Sequence, residues 1–361
     1  MTPAALGPEF ALLTRCCQWN FATADDGLRP RIPPGLDWNH FALLARRHRV
    51  QGLAWNALAQ SADELPDPTR EDLSGEARSI AATNLAIVAE CRDLQASFKR
   101  SKIPLLFIKG LTVGALAYRA PLLKMGWDID LLIDPRDLRM ASELLQERDY
   151  SLHLPRSQAR LQSWHSRSKE SVWCRSGSFY VELHTRLADN LRLIPGIDIH
   201  SPRQLVTIAP DLMLQTLAED ELFAYLAVHG ASSAWFRLKW ISDFTALIHG
   251  KSANEIERLY GRSQELGAAR AAGQALLLAD KLFDVLQAVP SLRKRLASDR
   301  STRVLSDAAL RTMTAGTVEP TERPLGTLAI HGTQFLLRPG LGFKLSELRR
   351  QTASLLNRSA H

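Results

Sequence analysis

The sequence predicts an α+β chain: a small mixed-sheet core at 101–195, set between an N-terminal helical region (1–100) and a C-terminal helical region (196–361). Three observations predict it. Apolar residues recur at helical spacing before residue 100 and again beyond about 203. Between these regions, short apolar runs of strand length take over, one of them carrying acids at alternate positions. Glycine and proline mark the junctions. At 361 residues the chain is long for one minimal core and short for three domains, which favours two lobes.

In chain order, "HFALLARRHRVQGLAWNALAQ" (40–60) puts Phe41, Leu44, Ala45, His48 and Trp55 on one helical face, with Arg46 and Arg47 turned away. Leu53 and Leu58 fall off that stripe, which predicts a bend near Gly52 or burial on two sides. "RPRIPP" (29–34) and "LPDP" (65–68) break the chain on either side. A second helix over 79–101 presents Leu85, Val88, Leu94 and Phe98. "IPLLFIKG" (103–110) reads as a buried strand ending in a glycine turn, with "GLTVGALAYR" starting a helix behind it. "WDIDLLID" (127–134) is the next strand. Asp134 then caps a helix with Pro135 in its first turn, and that helix packs through Leu138, Ala141, Leu144 and Leu145. "SVWCRSGSFYVELHTRL" (171–187) reads as a hairpin about Ser176-Gly177-Ser178. From about 203 onward the expectation is helix, "LMLQTLAEDELFAYLAVHG" included. No internal repeat or low-complexity tract occurs.

Composition narrows the function classes. With 45% apolar and 23% charged residues the chain is ordinary globular protein. A net charge of +7 suits a polyanionic partner without selecting one. Cys16, Cys17, Cys91 and Cys174 match no zinc or redox spacing, so free thiols in a reducing compartment are expected. The N-terminus lacks the pattern of a signal peptide, and no apolar stretch approaches the ~20 residues of a membrane span. A cytoplasmic protein is the expectation.

The acids at 128 and 130 carry the chemistry. In a strand, residues i and i+2 share a face about 7 Å apart, so Asp128 and Asp130 stand side by side while Ile129, Leu131 and Ile133 line the other face. Like charges so close repel unless a cation lies between them, and magnesium prefers such hard oxygen ligands. Glu182 sits in a second apolar strand, "FYVELHTRL", and completes a carboxylate trio if that strand lies alongside; His184 shares its face. Lys109-Gly110, at a strand-to-helix turn, offers a cation and backbone amides to phosphates.

These pieces in this order, with "YLAVHGASSAWFRLKWISDFTALI" after them and "DWNHFALLARRHRV" before, resemble the nucleotidyltransferases of the polymerase-β-like superfamily, and more narrowly the nucleotidyltransferase 5 group. The resemblance covers about 35–250. It implies a nucleotidyltransferase core whose Asp128, Asp130 and Glu182 bind two magnesium ions, with manganese as an alternative, and act catalytically. It places Lys109 and Gly110 in the phosphate-binding motif and Lys124 where relatives carry an arginine. It assigns His229, Arg237, Lys239 and Asp243 to the nucleotide or acceptor; His184 is counted with these nucleotide-binding residues and, sharing the face of Glu182, is a weaker candidate than Glu182 for general base. The chain departs from the superfamily pattern in Lys-Gly-Leu for Gly-Ser, in Trp127 before the first aspartate, and in Ser232-Ser233 where a basic residue and a histidine are expected.

The implied activity is transfer of a nucleoside monophosphate from a triphosphate to a hydroxyl or phosphate on an acceptor, which could be a peptide, a saccharide or another small molecule. Nucleic acid is a less favoured acceptor. Two alternatives stand beside it: transfer from a nucleotide-activated sugar at the same metal site, or a non-catalytic binding module with a decayed active site or antitoxin-like partner protein. The basic, leucine-bearing tail 335–359 reads as a solvated helix, with an anionic membrane or an acidic partner groove as the alternative.

Overall fold

A computed structural model describes residues 6–22, 30–175 and 179–358. The N-terminal helices are α1 (Pro8–Trp19), α2 (Trp38–His48), α3 (Gln51–Leu58) and α4 (Asp67–Arg100). The stretch expected to form one bent helix over 40–60 is two. Arg49 takes a left-handed conformation (φ 56°) at the end of α2, and Leu53 and Leu58, off the predicted stripe, are buried on α3. Arg47 is also turned inward rather than outward. Its guanidinium donates to the carbonyls of Phe236 (2.6 Å) and Thr312 (3.1 Å), which compensates its burial. In α4 the buried face runs through Ile80, Asn84, Ile87, Cys91, Leu94 and Phe98, which leaves the expected Leu85 exposed. "LPDP" begins this helix as well as ending the preceding segment, since Pro68 falls in its first turn.

The core follows as β1 (Leu106–Phe107), α5 (Leu111–Tyr118), β2 (Asp128–Leu132), α6 (Leu138–Glu147), β3 (Ser151–Leu154), α7 (Leu161–His165), β4 (Glu170–Arg175) and β5 (Phe179–His184). The five strands form one mixed sheet in the order β1-β2-β5-β4-β3. β2 and β5 pair parallel and every other neighbouring pair is antiparallel. The predicted hairpin is β4–β5; its turn, Ser176-Gly177-Ser178, lies outside the described residues, as does Arg29 of the first proline-rich break. The acidic cap holds as expected: Asp134 accepts from the amide of Arg136 at 2.8 Å, and α6 buries Leu138, Ala141, Leu144 and Leu145.

Beyond the sheet, one expectation is corrected. Residues 203–217 are a two-stranded antiparallel ribbon, β6 (Arg203–Ala209) and β7 (Leu212–Leu217), and not helix. Val206 and Ile208, then Leu212 and Leu214, alternate inward at the strand period and join the core under the main sheet. Pro210-Asp211 makes the turn between the two strands. The helices resume as α8 (Glu219–Ser232), α9 (Leu238–Ile248), α10 (Ala253–Glu265), α11 (Ala269–Phe283), α12 (Pro290–Ser298), α13 (Arg300–Thr314), α14 (Leu328–Gln334) and α15 (Leu341–Arg358). Buried on nearly every side, α11 is the axis of this half. The basic tail helix α15 packs on the chain through Phe343 and Glu347, the latter accepting from Asn190 at 2.8 Å. Its Leu345 and Leu348 stay exposed, and the side chains of Leu355 and Leu356 lie outside those described. Cys16, Cys17 and Cys91 are buried free thiols, and Cys174 is half-buried. Among the described residues no helix is long and apolar enough to cross a membrane.

Two contacts press the segment 119–127 against the N-terminal helices. Asn84, 1% exposed in the middle of α4, donates to the carbonyls of Leu122 (2.9 Å) and Lys124 (2.7 Å). Gly52 lies so close that a Cβ there would stand 2.3 Å from the Leu123 carbonyl oxygen. Since backbone has little room to yield, Gly52→Ala is expected to destabilise the protein by about 1–3 kcal/mol, read as a lowered melting temperature. An unchanged melting temperature would contradict the close approach.

Candidate active site

The parallel register of β2 and β5 sets Asp130 directly beside Glu182, and Asp128 beside Tyr180. Strand alternation puts Asp128 and Asp130 on one face, and that face opens into a cleft of about 230 Å³. Every residue assigned to the metal, the nucleotide or the acceptor from the sequence lines the cleft except His184. The cleft also takes in residues that sequence reasoning missed: Arg49, Lys169, Glu170 and Trp240. Lys169-Glu170 had a signal, a charged pair just ahead of an alternating strand, but the strand was read as starting one residue too late.

At the floor, Asp130 is 3% exposed, and the ammonium of Lys109 lies 2.5 Å from its Oδ1 and 3.7 Å from Glu182 Oε2. Fully buried His184 does not reach the cleft. It sits under the acids, its Nε2 3.1 Å from Asp130, 3.2 Å from Glu170 and 3.5 Å from Glu182. Lys169 pairs with Glu170. Two half-buried lysines, Lys109 and Lys169, thus face three carboxylates. Burial pushes the Asp130 carboxyl up, but Lys109 and then His184 outweigh it and hold it well below the usual range. Burial likewise lowers Lys109, and Asp130 more than restores it, leaving it well above its ordinary value. Burial, and then the charge of Asp130, push Glu182 up to about 7. Burial lowers His184, while Glu170 and the hydrogen bond to Asp130 leave it raised.

Lys109 and Gly110 form the turn into α5. Gly110 has φ +66°, a conformation that favours glycine, and Thr112 locks the turn by donating to the carbonyls of Phe107 and Lys109, both at 3.1 Å. Above the floor, Asp243 binds Lys124 at 3.0 Å and accepts from the Tyr118 hydroxyl at 3.0 Å, all three nearly enclosed. Lys239 donates to the Met125 carbonyl at 2.6 Å, and burial followed by the charge of Lys124 brings it down to about 7. Arg237 lies over the rings of Phe236 (5.0 Å) and Trp240 (5.1 Å) and grips Glu319 at 2.6 and 2.7 Å. His229 packs edge-on to Trp240, and burial, with Lys109 next, holds it well below its ordinary value. His48 accepts from the Leu238 amide at 3.0 Å. Ser232 and Ser233 end α8 away from the cleft. Trp127 stands at the rim, 56% exposed.

Asp130, Glu182 and His184 each offer an atom within 4.8 Å of the others, which a metal ion could share; Asp128 is outside that group but on the same cleft. The oxygen donors suit magnesium or manganese, so the residues fit a hard divalent cation, with His184 behind the carboxylates. No curated protein matches the chain. The model of a family described as uncharacterised nucleotidyltransferase matches residues 34–284, well over half the chain and spanning the sheet, the cleft acids and α8–α11. The chain belongs to this family of uncharacterised nucleotidyltransferases.

Proposed function

We propose that the cleft moves a nucleoside monophosphate from a nucleoside triphosphate onto a hydroxyl or phosphate of an acceptor. The observation that supports this reading is the meeting of Asp128, Asp130 and Glu182 in one cleft with Lys109 and the start of α5. Magnesium held by these three carboxylates would supply positive charge to the phosphates and lower the acceptor's pKa. Lys109 and the first amides of α5 receive phosphate oxygens. Glu182, which burial and the charge of Asp130 push up to about 7 before a cation binds, is the candidate to take the acceptor's proton. A new P–O bond forms at the α-phosphorus as the bond to pyrophosphate breaks. Arg237 and Lys239 meet the remaining charge on the donor or the acceptor.

The test is pyrophosphate release from each of the four triphosphates, with magnesium and peptide, saccharide and small phosphorylated acceptors. Asp130→Asn is expected to abolish release while circular dichroism stays native; full turnover in that variant would end the reading. Nucleoside diphosphate as the released product would point instead to an activated-sugar donor.

A second prediction concerns Lys239. A polyphosphate beside it favours the charged form, so binding takes up a proton at pH 7.5, and affinity falls as pH rises above 7, by up to about tenfold per unit. Calorimetry in buffers of different ionisation enthalpy reads the uptake. Lys239→Met should remove it.

A further inference from the structure

The segment between β3 and β4 is not used by the chemistry above. Residues 150–169, "YSLHLPRSQARLQSWHSRSK", contain Arg156, Arg160, Arg167 and Lys169 and no acid. The three arginines line a single cavity of about 130 Å³ with Trp164, Ser157 and Ser163. They are exposed, and among the described residues none of the three forms an ion pair with a carboxylate. The segment is anchored rather than loose. Buried His165 bonds Thr185 Oγ1 at 2.9 Å through Nδ1 and Ser171 Oγ at 3.0 Å through Nε2. The Trp164 indole donates to the Glu170 carbonyl at 2.7 Å, and Glu170 itself lines the catalytic cleft. The cavity is therefore tied directly to the cleft wall.

We propose that Arg156, Arg160 and Arg167, with Trp164, form a phosphate-binding subsite that holds a non-reacting phosphoester of a small acceptor. Guanidinium groups bind phosphate through paired N–H donors, and three converging on one cavity leave their charge unanswered until an anion arrives. The half-buried indole offers a face to the ring that carries the phosphate. The cavity's size suits one phosphate or pyrophosphate, which favours a small phosphorylated molecule over a polymer strand. That this molecule is the acceptor rests on the proposed transfer reaction; the phosphate site does not.

The experiment titrates the full chain, without magnesium or triphosphate, with pyrophosphate, a hexose phosphate and a single-stranded thymidine octamer. The same titrations are run on the Arg156→Gln/Arg160→Gln/Arg167→Gln variant, checked for native circular dichroism and melting. Hexose phosphate and pyrophosphate are expected to bind at least about tenfold more weakly to the variant, the loss of one charge-assisted contact or more. Equal binding to both proteins overturns the subsite. A loss confined to the octamer overturns the small acceptor in favour of a nucleic-acid strand. Because no transfer is measured, a chain that releases no pyrophosphate yet shows the tenfold loss would refute the reaction and leave the subsite standing.

Discussion

The ion pair between Lys109 and Asp130, under an otherwise apolar sheet, is the interaction on which the rest of the site depends. Parallel pairing of β2 and β5 forces Asp130 against Glu182, and β4 adds Glu170. Isolated, such buried charges would be costly. The chain answers with its own cations, Lys109 from the β1–α5 turn and Lys169 beside Glu170, while His184 bonds the acids from below. This revises the simplest expectation for acids in a strand, that only a bound metal makes them tolerable. The protein carries a built-in counter-charge, and a triphosphate with its cation would compete for the same oxygens and give Lys109 a phosphate to bind instead.

The helical regions exist, for the site, to hold the cleft's walls. Asn84 and the missing side chain of Gly52 fix the segment that carries Lys124 and Trp127. Asp243 of α9 ties that segment to Tyr118 of α5 through Lys124. Glu319, from beyond the part of the chain that matches the family, reaches back to Arg237 and comes within 3.9 Å of Arg49. One wall of the cleft is thus set by residues far apart in sequence.

How much of this was legible follows from the range of each interaction. Asp128, Asp130 and Glu182 stood out because a strand's period-two pattern makes an acid among aliphatics visible, and one cleft receives all three. The same pattern says which side a residue faces but not how deep it lies, so His184 was expected at the cleft and is beneath it. The ribbon 203–217 reads as helix because Leu214 and Leu217, three apart, also fit helical spacing; Val206 and Ile208, with Leu212 and Leu214, carry the strand alternation. The inward turn of Arg47 toward Phe236, 189 positions away, and the Lys124–Asp243 pair left no local trace.

The central claim is that Lys109 and a divalent cation contend for the same carboxylates. Calorimetric titration of magnesium into the nucleotide-free protein and into Lys109→Met tests it most directly. The account expects weak binding to the wild type and binding at least about tenfold tighter to the variant, because removing an ammonium group 2.5 Å from Asp130 leaves the acids uncompensated. Equal or weaker magnesium binding by a folded Lys109→Met protein would contradict it.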